Sequence, residues 1–135
     1  MNSAIGPRDL FEAAWSAMQK THSPYSKFPV GAALRTADGK VYAGCNIEIA
    51  SYPEGWCAET TMLAHYVMGG RGEITEICVV AEKMASCTPC GGCRQRLAEF
   101  AGPKTRLYLC DNTGIVETMT LQDIFPRGFD GEILK

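Results

Sequence analysis

Three cysteines and one glutamate occupy two short stretches whose spacing suits metal chemistry. The first stretch is Cys57-Ala58-Glu59, and the second is Pro89-Cys90-Gly91-Gly92-Cys93. Catalytic zinc is bound by three protein ligands, which leaves the fourth position for water. The three thiols supply such a ligand set, and the carboxylate, two residues after the first thiol, is placed to transfer protons beside the open position. These residues predict a zinc ion that activates water next to a general acid and base.

Two other interpretations of these cysteines stay open on sequence alone. A Cys-x-x-Cys pair also occurs in redox sites and in structural zinc sites. A structural site would need a fourth Cys or His, and Cys87, three residues before Cys90, is a candidate. A redox pair is disfavoured because nothing like a thioredoxin unit surrounds it. Glu59 in the first stretch and Pro89 in the second favour a catalytic zinc site over the structural and redox interpretations.

The composition is that of an ordinary globular domain. The 135 residues are 46% hydrophobic and 21% charged, which predicts one domain over residues 1–135. The formal net charge is -2 and Lys and Arg form no block, so no nucleic-acid partner is expected. Neither a signal peptide nor an apolar stretch long enough to cross a bilayer is recognised, so no membrane partner is expected.

The remaining cysteines indicate a reducing compartment. Seven is an odd number, and several cysteines lie in apolar contexts, so we expect reduced thiols and a cytoplasmic protein. Cys45, Cys78 and Cys110 lie in or beside predicted strands and are interpreted as small core residues.

Hydrophobic periodicity and turn residues predict an α/β fold, with a mixed five-stranded sheet and helices on both faces in three α/β/α layers. The predicted helices cover residues 9–20, 58–68 and 93–100, with a short turn at 121–125. The predicted strands cover residues 30–36, 40–45, 74–81, 105–110 and 115–119. Both metal-binding stretches then lie at helix N-termini, where the dipole and free N–H groups favour thiolates.

Longer strings around these stretches resemble the small, homotetrameric type of zinc-dependent cytidine deaminase. They are residues 24–33 (Pro-Tyr-Ser-Lys-Phe-Pro-Val-Gly-Ala-Ala), 46–48 (Asn-Ile-Glu), 57–59, 89–95 and 125–129 (Phe-Pro-Arg-Gly-Phe). The resemblance spans nearly the whole chain, in order. It implies a hydrolase of pyrimidine salvage that converts free cytidine or deoxycytidine to uridine or deoxyuridine and releases ammonia.

The resemblance also implies roles for single residues. One zinc per chain would be bound by Cys57, Cys90 and Cys93, with Glu59 as the catalytic proton shuttle. The implied substrate-binding residues are Phe28, Asn46, Glu48, Ala58 and Phe129. Among them the Asn and Glu would hydrogen-bond the ribose hydroxyls, and the first Phe would pack on the pyrimidine. The second Phe would reach into the active site of a neighbouring subunit.

Two residues depart from the family pattern. Thr60 stands where members commonly have Arg, and Ile49 where they usually have Asn. Zinc with three thiolates carries one net negative charge, which donors around the sulfurs normally offset. We expect Arg94 to take over part of this task.

Because Thr60 replaces the usual Arg, two alternative functions stay open. The first is a deaminase of a modified cytosine nucleoside such as blasticidin S, whose family also lacks that Arg. The ribose pair Asn46 and Glu48, which that family lacks, argues against it. The second is a zinc-stabilised module without catalytic activity, against which Glu59 argues, because a structural site has no use for its carboxylate.

Overall fold

The computed structural model describes residues 6–135, so the first five residues of the predicted domain lie outside the described part. The strands are β1 (Val30–Thr36), β2 (Val41–Cys45), β3 (Ile74–Ala81), β4 (Ala101–Asp111) and β5 (Gly114–Thr120). The helices are α1 (Pro7–Met18), α2 (Ala58–Met68), α3 (Gly91–Phe100) and α4 (Leu121–Ile124). Within residues 6–135, none of the helices combines the length and the apolar character that a membrane span requires.

The five strands form one mixed sheet in the order β2-β1-β3-β4-β5. Strands β1 and β2 form the predicted antiparallel hairpin, and β1 also pairs antiparallel with β3. Strands β3 and β4 are the parallel pair, and α3 lies between them in the chain. Strand β5 closes the other edge antiparallel to β4. The predicted five-stranded mixed sheet is therefore confirmed.

Helices cover both faces of this sheet, as predicted. One face packs against α1 through a buried cluster of Leu10, Phe11, Ala14, Met18, Ala33, Cys78, Val80, Tyr108 and Cys110. The other face packs against α2, α3 and α4, and its buried residues include Ala32, Leu34, Met62, Leu63, Val79, Leu97, Leu109 and Leu121. The two clusters alternate along the strands because successive strand side chains point to opposite faces.

The predicted bounds of β1, α2 and β3 match the structure, whereas others differ at their ends. Helix α1 begins two residues earlier than predicted, at Pro7, a residue suited to the first helical turn because it lacks an N–H. Helix α3 begins at Gly91 rather than at 93, directly after Cys90. Strand β4 begins at Ala101 rather than at 105, because pairing of Ala101 with Ile74 extends it through the exposed residues 102–104.

A glycine sets how closely α2 approaches the sheet. A Cβ built on Gly44 of β2 would lie 2.4 Å from the backbone N of Met62 and 2.8 Å from the carbonyl O of Ala58. Both atoms belong to the helix backbone and cannot swing aside. Gly44 therefore allows the N-terminal half of α2, with the residues just before it, to lie directly against β2.

Candidate active site

The three predicted zinc ligands converge at two helix N-termini. Cys57 immediately precedes α2, Cys90 immediately precedes α3, and Cys93 lies in the first turn of α3. The Sγ atoms of Cys57 and Cys90 are 3.9 Å apart, and all three Sγ atoms lie within 4.8 Å of one another. Ligands about 2.3 Å from a tetrahedral zinc are about 3.8 Å apart, so the donor set fits zinc.

Cys87 does not belong to this group. Within residues 6–135 the metal-binding group contains three thiols, and Cys87 is outside it. Its thiol instead faces the carbonyl O of Thr88 at 3.9 Å. The geometry therefore favours three ligands and an open fourth position over a closed structural site.

Hydrogen bonding among the thiols favours an ionised sulfur. The pKa of Cys57 is lowered to about 6, chiefly by a hydrogen bond from the Cys93 thiol, with a smaller contribution from Cys90. The same contact raises the pKa of Cys93, which burial raises further. Since zinc binds thiolates, the cluster already contains a sulfur suited to metal binding near neutral pH.

Glu59 lies in the first turn of α2 and is buried, with 4% of its surface exposed. Burial is the main cause that raises the pKa of its carboxyl group, and the negative charge of Cys57 adds to it. A raised pKa makes a carboxylate a better proton acceptor, which is a property of general bases in active sites. Glu59 therefore has the properties that a proton shuttle needs, beside the thiol cluster.

The predicted ribose pair holds the loop before β1 in this structure. The Asn46 Nδ2 donates to the carbonyl O of Phe28 at 2.8 Å, and its Oδ1 accepts from the backbone N of Val30 at 3.0 Å. The Glu48 carboxylate accepts from the backbone N of Ser26 at 3.1 Å and from the Ser26 hydroxyl. This hydroxyl is the main cause that lowers the pKa of Glu48, which therefore stays ionised.

A cleft of about 260 Å³ brings the ribose pair and the first zinc ligand together. Its lining includes Asn46, Glu48, Ile49, Tyr52, Trp56 and Cys57. Of the other predicted substrate residues, Phe28 is half-buried beside Asn46, and Ala58 is fully buried as the first residue of α2. The cleft thus joins the ribose pair to Cys57, which follows Glu48 by nine positions.

Phe129 lies outside this cleft and is 60% exposed. The C-terminal segment is tied to α3 by a hydrogen bond of 3.0 Å from Gln95 Nε2 to the carbonyl O of Phe129. The aromatic ring is therefore presented at the surface near the zinc-binding helix.

The expectation that Arg94 approaches the sulfurs is wrong. Its guanidinium donates instead to the carbonyl oxygens of Pro89 and Ile124, both at 2.8 Å, and to the Thr88 hydroxyl at 3.2 Å. The residue that reaches the cluster is Arg96, whose Nη1 lies 3.6 Å from the Sγ of Cys93. The available signal was the three-residue spacing from Cys93, which places both side chains on one helix face, unlike the adjacent Arg94.

Comparison with known proteins matches the chain to one family over most of its length. The profile of the family described as "Cytidine and deoxycytidylate deaminase zinc-binding region" matches residues 7–110. The cytidine deaminase of Sporosarcina psychrophila is 41% identical over 125 residues, 93% of this chain and 92% of that protein. That of Halalkalibacterium halodurans is 40% identical over 123 residues, 91% of this chain and 93% of that protein.

The fold agrees with these sequence matches. A crystal structure of cytidine deaminase from Burkholderia pseudomallei has a TM-score of 0.87 and 42% identity, covering 93% of this chain and all of that chain. The matches support cytidine deamination and give no support to the blasticidin-type enzyme or the non-catalytic module. With its thiol cluster of zinc-binding geometry, the chain belongs to the zinc-dependent cytidine and deoxycytidylate deaminase family, whose members hydrolyse C–N bonds.

Proposed function

We propose that the chain hydrolyses free cytidine and deoxycytidine, with Cys57, Cys90 and Cys93 as ligands of one zinc and Glu59 as proton shuttle. The observation that carries the proposal is the cleft shared by Asn46, Glu48 and Cys57. A sugar bound at one end of this cleft would place the pyrimidine toward the thiol cluster. An ionised Glu48 would repel a 5′-phosphate, which favours a nucleoside over a nucleotide.

The chemistry needs one water molecule and two proton transfers. Bound zinc lowers the pKa of a coordinated water and so supplies a nucleophile at neutral pH. The buried Glu59 carboxylate would accept the proton that this water loses and deliver it to the ring N3 as the oxygen adds to C4. Glu59 would then take the remaining proton from the oxygen now bonded to C4 and deliver it to the amino group, which leaves as ammonia while the C4 carbonyl forms. The products are uridine and ammonia, or deoxyuridine and ammonia.

The other substrate residues would position the nucleoside. Asn46 and Glu48 would bind the sugar hydroxyls, and both are already held by the loop of residues 24–30. Phe28 would pack on the pyrimidine. Ala58 would contribute its backbone at the start of α2, where free N–H groups face the site.

An absorbance assay on purified protein tests the substrate assignment. We expect turnover of cytidine and deoxycytidine, much slower turnover of cytidine monophosphate, and none of blasticidin S. Asn46→Ala and Glu48→Gln should raise KM for the nucleosides while zinc content stays at one per chain. Glu54→Gln, which removes an exposed acid from the neighbouring turn Tyr52–Glu54, is the matched control. Cytidine monophosphate reacting faster than cytidine would contradict the proposal.

We also propose a cytoplasmic homotetramer that acts in pyrimidine salvage. An apolar cavity of about 600 Å³ between α2 and α3 is lined by Trp56, Leu63, Val67, Met68 and Phe100, among others. Met68 is 79% exposed and Trp56 49%, an arrangement typical of a surface that an assembly covers. The seven free thiols support a reducing compartment, and one sheet with a core on each face supports a single domain.

Sedimentation equilibrium and Phe129→Ala test the assembly. We expect a tetramer, and we expect the variant to raise KM without zinc loss because the ring would reach a neighbouring subunit's site. An active monomer at assay concentration would contradict the shared site.

A further inference from the structure

The zinc cluster brings negative charge into a partly buried place. Zinc bound by three thiolates has one net negative charge, and the buried Glu59 lies two residues after Cys57. Cys93 is fully buried and so cannot rely on water to stabilise its charge. Because uncompensated buried charge is strongly destabilising, a cation beside this sulfur would matter for metal binding.

Arg96 is placed to supply that positive charge. Its Nη1 lies 3.6 Å from the Sγ of Cys93, three residues earlier on the same face of α3. Arg96 is exposed over much of its length, so its guanidinium reaches the buried sulfur from the rim of the apolar cavity between α2 and α3. A hydrogen bond between charged partners is about twice as strong as a neutral one.

The backbone of the zinc-binding stretch leaves room for this guanidinium. A Cβ built on Gly92 would lie 3.2 Å from Nη1 of Arg96 and 3.8 Å from its Cζ. The first distance is closer than an ordinary van der Waals contact. Gly92 therefore allows the guanidinium to lie over the turn that holds Cys90 and Cys93.

Neither neighbouring candidate takes this place. Arg94 is occupied with the carbonyl oxygens of Pro89 and Ile124, so it fixes the backbone around the site rather than the sulfur. Thr60 of α2 lines the same cavity as Arg96, but its side chain is short and uncharged. The two arginines of α3 thus have separate contacts, one with backbone and one with a ligand.

We propose that Arg96 is the positioning residue of the zinc site, which donates to the Cys93 thiolate and balances its charge through the space left by Gly92. This inference depends on the proposed ligand set of Cys57, Cys90 and Cys93. In this role Arg96 touches neither substrate nor zinc. Its positive charge offsets the net negative charge of the three-thiolate site, which strengthens zinc binding, and its hydrogen bond lowers the electron donation of the Cys93 sulfur.

Arg96→Gln tests the role through metal binding. We expect chelator competition to show zinc affinity reduced by roughly 10–100-fold, the usual effect of losing a group that supports a metal ligand. The zinc affinity of Arg96→Lys should lie between those of the wild type and Arg96→Gln, because a lysine ammonium supplies the charge without the planar guanidinium donors. Arg71→Gln, which removes an exposed arginine after α2, should bind zinc like the wild type. Wild-type affinity in Arg96→Gln would overturn the inference.

The cobalt(II)-loaded protein gives a second readout that a purely structural role would not move. Loss of the hydrogen bond should make the Cys93 sulfur a stronger electron donor, so the thiolate-to-cobalt absorption band should shift to longer wavelength in Arg96→Gln. An unchanged band, with only a lower melting temperature, would assign Arg96 to packing and overturn the inference.

A double-mutant cycle tests the space at Gly92. Gly92→Ala should weaken zinc binding several-fold in the wild type and should have no further effect in Arg96→Gln, since both changes remove the same contact. If Gly92→Ala weakened zinc binding equally in the wild type and in Arg96→Gln, the coupling of Gly92 to Arg96 would be overturned. Cys90→Ala separates this inference from the proposed ligand set. If Cys90→Ala keeps its zinc, the ligand set is wrong. If Cys90→Ala loses zinc while Arg96→Gln binds it like the wild type, only the inference about Arg96 is overturned.

Discussion

One group of cysteines lies in the sheet and another at the N-termini of the helices that cover its other face, and the two groups have opposite properties. Under α1, Cys78 of β3 and Cys110 of β4 are both buried, with their Sγ atoms 3.3 Å apart. That contact and burial raise the pKa of Cys78. Near α2 and α3, the pKa of Cys57 is lowered to about 6. The same side chain is inert in one place and suited to metal binding in the other.

The difference lies in the surroundings that the backbone provides. Cys78 and Cys110 lie inside strands, whose N–H groups are used in the sheet. Cys57 and Cys90 directly precede helices, whose first N–H groups are free and whose dipole favours negative charge. Thiol proximity alone therefore does not make a metal site.

Two buried carboxylates show the same contrast. Glu76 lies on the α1 side and is paired, with Arg35 Nη1 at 2.9 Å and the Tyr108 hydroxyl at 2.6 Å. Glu59 is buried beside the thiols, and its pKa is raised. The partners of the first carboxylate stabilise the fold, whereas the burial of the second favours its protonated form.

The largest expected effect is loss of zinc from Cys90→Ala. Removing one of three thiolates should reduce zinc from one per chain to a small fraction and abolish turnover. Cys78→Ala is the matched control on the other face and should keep its zinc while losing about 1 kcal/mol of stability. Metal analysis and urea unfolding measure both. Zinc loss from Cys78→Ala with retention in Cys90→Ala would reverse the assignment of the two groups.

Glu59→Gln should keep zinc but lower kcat by roughly 10²–10⁴-fold, the contribution of a positioned proton shuttle. Glu76→Gln should do the opposite: it leaves the Arg35 charge unpaired and should lower the free energy of unfolding by roughly 3–5 kcal/mol, while kcat of the folded fraction stays near normal. Steady-state kinetics and urea unfolding separate the two effects. Near-normal kcat in Glu59→Gln would rule out its assigned role.

Gly31→Ala and Gly44→Ala should have effects of intermediate size. The first disturbs the packing of α1 on the sheet and the second the packing of α2. A Cβ on Gly31 would lie 2.1 Å from the carbonyl O of Ala14 in α1, and one on Gly44 would be 2.4 Å from the Met62 N in α2. In both variants overpacking should lower the free energy of unfolding by about 1–3 kcal/mol. Only Gly44→Ala displaces the helix that carries the first ligand, so it alone should weaken zinc binding. Equal zinc affinities in the two variants would contradict this.

The smallest expected effect belongs to Cys87→Ala. Burial is the main cause that raises the pKa of Cys87, and its thiol lies outside the three-sulfur group. We expect one zinc per chain and stability within about 0.5 kcal/mol of the wild type. Metal analysis decides the question, since loss of zinc would reinstate Cys87 as a ligand.

Much of the fold could be predicted from local pattern. The bounds of β1, α2 and β3 match because their apolar runs end at residues that interrupt the pattern, such as Gly69 after α2. The start of β4 was missed, because residues 101–104 join the sheet through pairing that no local periodicity encodes. Strand order and register likewise depend on contacts between segments distant in sequence.

The sequence by itself determined that three thiols and a carboxylate lie at two helix starts, because this follows from residue identity and short spacing. Only the tertiary structure decided that Arg94 turns to the carbonyl O of Ile124, how Gly44 makes room for α2, and that Ser26 holds Glu48. Those contacts join segments whose distance and direction are set by packing of helices on the sheet. Residue spacing along the chain limits which side chains can meet, but the packed backbone selects among them.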